Sequence, residues 1–431
     1  MFFSNFKSLT SYKKLILKEV SVQLIEKIVR VFVGLIVVKS LSFYLGPANY
    51  GILNFIESYY LMIYGVAIFG LDTIITKKFV KIKNENNFKN LVSSGVLILL
   101  CISAILYLIN LLVLFEFIDF SQEILIKTIC LLLFLNPFLL VEFFLTSKNQ
   151  IRYISAARLF TYLISSALKL LAIHFQLEIQ YFVYIMMLES IILYSGFIYL
   201  IRDRITFTNI NIQLNIPLIK EILGEGLPIF LYSLGALIYS RIDIFMIQRY
   251  LSDIDLGNYT ASFKLVSFLL FLPGVLSASF FPKIISESSF SLSSTYIRKM
   301  YRYSFFMSLS LLIICFVLGP FMIDTLFGEK YESSLSLYYI LIFILSTASI
   351  SAVYFKVIYS VNLQKRLLLR SLSGIIINVI LNYYLIKYFG VYGSAIATIL
   401  SLIIIELFYD FFDKKLRPYH IFKLKAILNI Q

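Results

Sequence analysis

Three ionisable residues, Glu26, Lys27 and Arg30, stand inside an apolar segment, Val20 to Tyr44, that leads into the turn-like Leu45-Gly46-Pro47-Ala48-Asn49-Tyr50-Gly51. The segment is long enough to cross a bilayer, since about 20 apolar residues at about 1.5 Å each span the hydrocarbon core. A charge in that core costs about 2.5 to 3.5 kcal/mol on insertion scales, so such groups normally face protein or a water-filled cavity. Glu26 and Arg30, four apart, can pair on one helical face, while Lys27 and Arg30, three apart, can both look inward. One of the two cations is then left without an intrahelical partner. Two readings follow: the cations line a polar cavity, or their long stems carry them to the cytoplasmic interface. The depth of Arg30, and charges in neighbouring spans, favour the cavity.

The elements that must position these groups are membrane helices. The 431 residues are 60% hydrophobic and only 14% charged, against about 25% charged in a soluble domain, so lipid rather than water must cover the surface. Apolar runs lie near 20–44, 52–76, 91–115, 124–146, 153–175, 180–201, 227–249, 258–281, 302–327, 335–360, 367–389 and 392–412. They are continuous rather than alternating, which predicts an all-α integral membrane protein with twelve transmembrane helices and not a barrel. Basic residues cluster on every second connection: Lys7 to Lys18, Lys77 to Lys89, Lys148 to Arg158, Arg202 to Lys220, Lys283 to Arg302, Lys365 to Arg370 and Lys414 to Lys425. Cations concentrate in cytoplasmic loops, so both termini are expected to be cytoplasmic. The same rule accounts for the net charge of +14 and makes nucleic acid an unneeded partner.

Several function classes are excluded. No G-x-x-x-x-G-K-[ST] loop is present, and no connection is long enough for a nucleotide-binding domain. Two histidines, His174 and His420, and three scattered cysteines, Cys101, Cys130 and Cys315, give neither a metal site nor a disulfide framework. No catalytic set is gathered at a water-facing position, so the chain is expected not to be an enzyme and to need no cofactor. Tyr59, Tyr60, Tyr64, Tyr338 and Tyr339 fit packing or an interfacial belt better than stacking on sugar rings, because no Trp is present to share that belt.

The halves repeat. Asn49-Tyr50-Gly51 and Gly257-Asn258-Tyr259, Gly70 and Gly274, Lys78 and Lys283, and Arg158 and Arg370 recur in order about 204 to 212 residues apart. The expected division is a cytoplasmic amphipathic arm at 1–19, six-helix bundles at 20–202 and 227–413, a linker at 203–226 and a tail at 414–431. Six spans per half make the repeat parallel. Arm and tail mix apolar and basic residues and should lie on the anionic inner leaflet.

Other spans carry Glu57, Asp72, Glu142, Glu189, Arg241, Asp243, Lys264, Lys356 and Glu406. Asp72, Glu142, Lys356 and Glu406 sit near span ends, where interface and cavity are both open. Glu189 is near mid-span and must be paired or protonatable. Arg241 and Asp243, two apart, point to different sides of their helix. Arg241 joining Lys27, Arg30 and Lys264 would give a cationic cleft between the halves, suited to an anionic cargo such as a diphosphate.

The Tyr-Leu-Gly-Pro-x-x-Tyr-Gly turn at 44–51, Gly70-Leu71-Asp72, SRIDIFMIQRYLSDIDLGNYTASFKL at 240–265, FFPKI at 280–284 and GVYGSAIATILS at 390–401 resemble the polysaccharide-transport flippases of the multidrug/oligosaccharidyl-lipid/polysaccharide exporter superfamily. The O-antigen, or Wzx-type, flippases are the nearest of these. The resemblance implies a V-shaped pair of bundles that moves an undecaprenyl-diphosphate-linked oligosaccharide to the outer leaflet of the bacterial inner membrane by alternating access. It further implies Lys27, Arg30, Arg241 and Lys264 as substrate-binding cations, and Glu189 and Asp243 as ion-coupling candidates. A polysaccharide polymerase and a chain-length regulator are the expected protein partners. Competing expectations are an ion-coupled multidrug or metabolite antiporter of the same superfamily, marked by acids in its cavity, a membrane glycosyltransferase or polymerase with a large outer loop, and a non-catalytic assembly partner.

Overall fold

A computed structural model of the chain describes residues 2–82, 84–112, 120–202, 215–270, 272–273, 295–361 and 363–428. Gly274, Lys283 and the FFPKI segment, together with most of the linker, lie outside the described residues. Each expected apolar run is mainly helical where it is described, and no strand occurs among the described residues. Lipid offers no partners for peptide groups, so a spanning segment must close its hydrogen bonds within itself.

In chain order the helices are α1 (Phe2–Ile68), α2 (Leu71–Lys81), α3 (Glu85–Leu112) and α4 (Phe120–Ile129), then a 3-10 stretch at Cys130–Phe138 and α5 (Leu139–Ser147). They continue as α6 (Ile151–His174), α7 (Ile179–Ile201), α8 (Ile216–Tyr250), α9 (Asp253–Leu269), α10 (Thr295–Phe327), α11 (Ser334–Leu341), α12 (Ile344–Ser360) and α13 (Gln364–Ile403). A π-helical turn at Ile404–Tyr409, α14 (Asp410–Phe412) and the tail helix α15 (Arg417–Leu428) complete the order. Among the described residues, eight helices are long and apolar enough to cross a membrane, or nine with the bent α8. Two of the eight, Ser21–Lys81 and Lys365–Phe412, hold two expected spans each.

Those two are divided by glycine. Gly46 has φ 67 and ψ 173 inside α1, and Gly390 has φ 56 and ψ −138 inside α13. Positive φ is costly for a residue with a Cβ, so glycine permits the chain to leave one helix and start the next in a single step. Pro47 follows Gly46 and suits a first helical position, where its missing N–H has no partner to lose. The turn expected at 45–51 is therefore one residue long. The second expected span, 52–76, is also broken, at Phe69 and Gly70, between α1 and α2.

Two compact units result: Met1–Tyr44 with Tyr59–Ser233, and Leu45–Ser58 with Leu234–Gln431. In the first, Leu71, Ile75 and Phe79 of α2 pack with Leu91 and Leu99 of α3, Leu140 and Phe143 of α5, and Phe197 and Ile201 of α7. In the second, residues 45–58 cross the start of α9 at backbone distance. A Cβ on Gly51 would stand 2.5 Å from the Asp253 carbonyl oxygen, and one on Gly257 only 2.0 Å from that of Pro47. The start of α9 is fixed by Ser252, whose hydroxyl accepts from the Asp255 N–H at 3.2 Å while its own N–H donates to Asp255 Oδ2 at 3.3 Å, a capping box.

The outer surface is apolar. Only 17% of the most apolar stretch of α7 and 22% of that of α10 is buried, and Leu112, Val317 and Phe321 are largely exposed. Lipid, not water, suits such a face.

Candidate functional site

In the first unit the charges converge on one stripe of α6, Arg158, Tyr162, Ser165 and Lys169, spaced i, i+4, i+7 and i+11 along a single helical face. At its start Arg158 Nη2 donates to Glu142 Oε1 of α5 at 2.6 Å. One turn on, the Arg30 guanidinium lies over the Tyr162 ring at 4.7 Å and also donates to Glu26 Oε1 at 3.2 Å. The pairing expected between Glu26 and Arg30 is thus formed, and an aromatic face supplies further attraction. Lys27 points elsewhere: it is exposed and has no ion-pair partner among the described residues.

Two turns deeper is Glu189 of α7. The Ser165 hydroxyl donates to its Oε2 at 2.6 Å and Lys169 Nζ stands 3.7 Å from the same oxygen. Glu189, which its mid-span position requires to be paired or protonatable, thus has a hydroxyl donor and a nearby ammonium. Lys169 escaped the sequence reading because it is a lone cation in an apolar run; its spacing from Arg158 and Tyr162 is the signal that links it to them.

In the second unit, Arg241 and Asp243 of α8 do point to different sides. Arg241 Nη1 donates to the Ser58 hydroxyl at 2.9 Å, and no carboxylate pairs with it among the described residues. Lys264 of α9 faces Glu57 at 3.6 Å, both partly exposed. Asp243 is buried, and no cation pairs with it among the described residues. Its Oδ2 accepts from Thr398 Oγ1 at 2.6 Å and Tyr259 Oη at 2.8 Å, and its Oδ1 from Asn382 Nδ2 at 3.0 Å. Behind this shell Ser394 donates to Asn382 Oδ1 at 2.7 Å and Asn378 donates to Ser401 Oγ at 3.1 Å. Three neutral side chains thus donate to one carboxyl, an arrangement in which either a proton or a small cation can balance the site.

Near the end of the span 392–412, Glu406 was open to interface or cavity; it is buried in an ion cluster. Arg370 donates to Glu406 Oε1 at 2.6 Å and to Asp410 Oδ1 at 2.9 Å, and Lys423 of α15 reaches Glu406 Oε2 at 3.0 Å. Ser351 also donates to Glu406. Asp72 is exposed. Tyr59, Tyr60 and Tyr338 are buried, and Tyr59 and Tyr338 donate to Asn110 Oδ1 at 2.8 Å and the Cys315 carbonyl at 3.1 Å, which is packing. No group of metal-ligating side chains occurs among the described residues.

A family model described as polysaccharide biosynthesis protein matches residues 16–289, which is more than half of the chain. The chain belongs to the polysaccharide biosynthesis protein family. Its fold is shared with solved carriers. Similar structures are a lipid II flippase MurJ in an inward closed conformation, with TM-score 0.67 and 16% identity over 95% of this chain and 91% of that one, and an inward-facing multidrug resistance MATE family transporter of the MOP superfamily, with TM-score 0.68 and 12% identity over 95% and 98%. An outward-facing structure of a MATE family transporter aligns with TM-score 0.63 and 13% identity over 97% and 96%. No protein with a curated description matches. This member of the polysaccharide biosynthesis protein family is therefore a multi-pass, all-helical membrane protein whose fold is similar to that of these solved structures.

Proposed function

We propose that the protein is a flippase that moves an undecaprenyl-diphosphate-linked oligosaccharide, an O-antigen repeat unit or a similar surface-polysaccharide precursor, from the inner to the outer leaflet of the bacterial inner membrane. A glycan head cannot cross hydrocarbon unaided, because each unpaired polar group there costs several kcal/mol. A polar passage opened alternately to either side removes that penalty without covalent chemistry. The lipid tail stays in the bilayer.

The observation that carries the reading is Arg241, an intramembrane guanidinium whose described side-chain partner is only the neutral Ser58 hydroxyl. Such a group is expensive at depth unless its ligand brings the counter-charge. The cations assigned to the substrate diphosphate are Lys27, Arg30, Arg241 and Lys264. Glu26 and Glu57 neutralise Arg30 and Lys264 in part, so the four cations are matched by two carboxylates and keep a net positive charge. Guanidinium and diphosphate form paired, charge-assisted hydrogen bonds. Coupling to an ion gradient falls to the acids Asp243 and Glu189. Both termini are cytoplasmic, the six-helix bundles are 20–202 and 227–413, and a polysaccharide polymerase and a chain-length regulator act with the protein.

The test is genetic. Deleting the gene should abolish surface polysaccharide and leave lipid-linked intermediates in the inner leaflet, and wild-type chain should restore display. Arg30→Ala and Arg241→Ala together should not. Full display with well-expressed double variant would reject the role given to these cations.

A further inference from the structure

The stripe on α6 holds one cation whose chemistry is unfinished. Lys169 lies in the last third of the apolar helix α6, five residues before its end, with its side chain 16% exposed. An ammonium has three donors. The carboxylate oxygen it faces, Glu189 Oε2, stands 3.7 Å away and already accepts from Ser165 at 2.6 Å. A charge-assisted N–H···O bond would close to about 2.7 to 2.9 Å. Lys169 is therefore attracted to Glu189 without being bonded by it, and no other acceptor of its protons occurs among the described residues. The contrast with Arg158 is direct, since that guanidinium meets Glu142 at 2.6 Å.

The rest of the stripe gives the direction. From Arg158 to Lys169 is eleven residues, about 16 Å along a helix axis and about half of the hydrocarbon core. Along that distance stand Arg158, then Arg30 over the Tyr162 ring, then Lys169. These are three cations in one line, each balanced by one carboxylate: Glu142 of α5, Glu26 of Arg30's own helix α1, and Glu189 of α7. An anion that enters at the Arg158 end meets a new positive partner about every one to two turns.

We propose that Lys169 is the inner anion seat of this line, where a phosphate of the passenger displaces the Glu189 carboxylate from the ammonium. The proposal rests on the flippase reading and assigns this chain a binding residue beyond the four cations named there. Ser165 keeps hold of Glu189 once it is displaced. Glu189 sets the strength of the seat by competing for it, so the two residues act on binding with opposite sign. A merely structural ion pair has the other signature, in which loss of either partner is harmful alike.

The experiment uses the full chain purified in lipid nanodiscs, with calorimetric titration of a short-chain polyprenyl diphosphate as probe. The matching polyprenyl alcohol and inorganic pyrophosphate are separate arms. Wild-type chain should bind the diphosphate lipid and not the alcohol; binding of pyrophosphate alone with equal affinity would assign the seat to free anion rather than to a lipid head group and overturn the role given to the passenger. Lys169→Gln should weaken binding about tenfold, the loss expected for one charge-assisted contact, and Lys169→Arg should restore most of it. Glu189→Gln keeps the size and the Ser165 contact, so it should fold as wild type and bind the probe more tightly. Unchanged or weaker binding by Glu189→Gln overturns the proposal, as does wild-type affinity in Lys169→Gln. If Arg30→Ala loses the probe while both α6 and α7 variants match wild type, the flippase reading stands and this inference alone fails. If wild-type chain binds no diphosphate lipid, both fail.

Discussion

Lys423, in the tail helix α15, is 3% exposed in its side chain and stands 3.0 Å from Glu406 Oε2 in the last membrane span. Asp410 lies 3.7 Å from the same ammonium, and Arg370 closes the cluster from α13. One lysine of the tail is thus a buried counter-ion. Its apolar residues do the rest, with Phe422 packed against Tyr301 at 6.3 Å between ring centroids. Arg302 of α10 also donates to the Ala426 carbonyl at 3.2 Å.

Breaking that cluster should be far more harmful than an exposed ion pair would suggest. Lys423→Met leaves Glu406 and Asp410 facing Arg370 alone, and removing one partner of a buried network typically costs about 3 to 5 kcal/mol. The expected outcome is a marked fall in the melting temperature of the detergent-purified chain and early proteolysis of the tail. Lys89→Met, which removes an exposed i,i+4 pair with Glu85, should change stability by less than about 1 kcal/mol. Equal effects would show that the tail cluster is not held as described.

The same tail contains a pH response. His420 is 2% exposed, its Nδ1 meets no hydrogen-bond partner among the described residues, and burial, aided by the nearby Lys423 ammonium, pushes its pKa down to about 4. An unfolded histidine titrates near 6.5. The folded state therefore binds fewer protons between those values, so stability is full above about pH 6.5 and falls as pH drops toward 4. Limited proteolysis of the tail should quicken between pH 7.5 and pH 5, and His420→Phe should flatten that dependence. A tail equally protected at both pH values in the wild-type chain would remove histidine from the explanation.

Gly257 and Gly51 give a packing test. The carbonyl of Pro47 is so close to Gly257 that a Cβ would meet it at 2.0 Å, backbone against backbone. No side-chain rotation relieves such a contact. Gly257→Ala should destabilise by about 1 to 3 kcal/mol through forced backbone shifts, read as lower yield and melting temperature. Gly224→Ala, where nothing lies within 4 Å of the added atom, is the control and should be tolerated.

Much of this arrangement could be read along the chain, and its limits follow from what a local window contains. The break at Gly46 was legible because an apolar run ends in Gly-Pro, and the break at Gly390 because two runs meet there. The pairing of Glu26 with Arg30 was legible because both lie on one helix, four residues apart. Asp243 shows the opposite case. Its position in a span marked it out, yet its partners Asn382 and Thr398 are 139 and 155 residues away, on a helix hairpin whose placement only the fold supplies. Lys423 was not legible as a buried partner because a basic, apolar tail has the composition of a surface helix whether or not its lysines find buried acids. Lys169 was passed over for a related reason: one cation in a hydrophobic run says nothing of the Glu189 that faces it from the next span.

Asp243 leads to a functional prediction of its own. Its shell of Tyr259, Thr398 and Asn382 donates three hydrogen bonds to one carboxylate. Asp243→Asn is nearly isosteric and can keep the acceptor role at one oxygen, but its amide turns donors against the Asn382 amide or a hydroxyl. The variant should remain in the membrane at normal level and restore surface polysaccharide poorly, by about tenfold or more if this carboxyl carries the coupling ion. Full restoration by Asp243→Asn would move ion coupling elsewhere, with Glu189 as the acid left to test.

The topology can be tested at Gly328 and Glu329, in the turn that follows α10. Basic residues fall on every second connection, and this turn lies on the alternate side, so it should face away from the cytoplasm. Glu329 is exposed, and a single cysteine there, in a chain whose Cys101, Cys130 and Cys315 are replaced by serine or alanine, should react with a membrane-impermeant maleimide on intact cells. A cysteine at Lys414, beyond the last span, should react only after the membrane is opened. If the two sites label alike on intact cells, an odd number of spans does not separate them and the twelve-helix count must be redrawn. The comparison depends on sidedness alone, so it decides the orientation whatever the passenger proves to be.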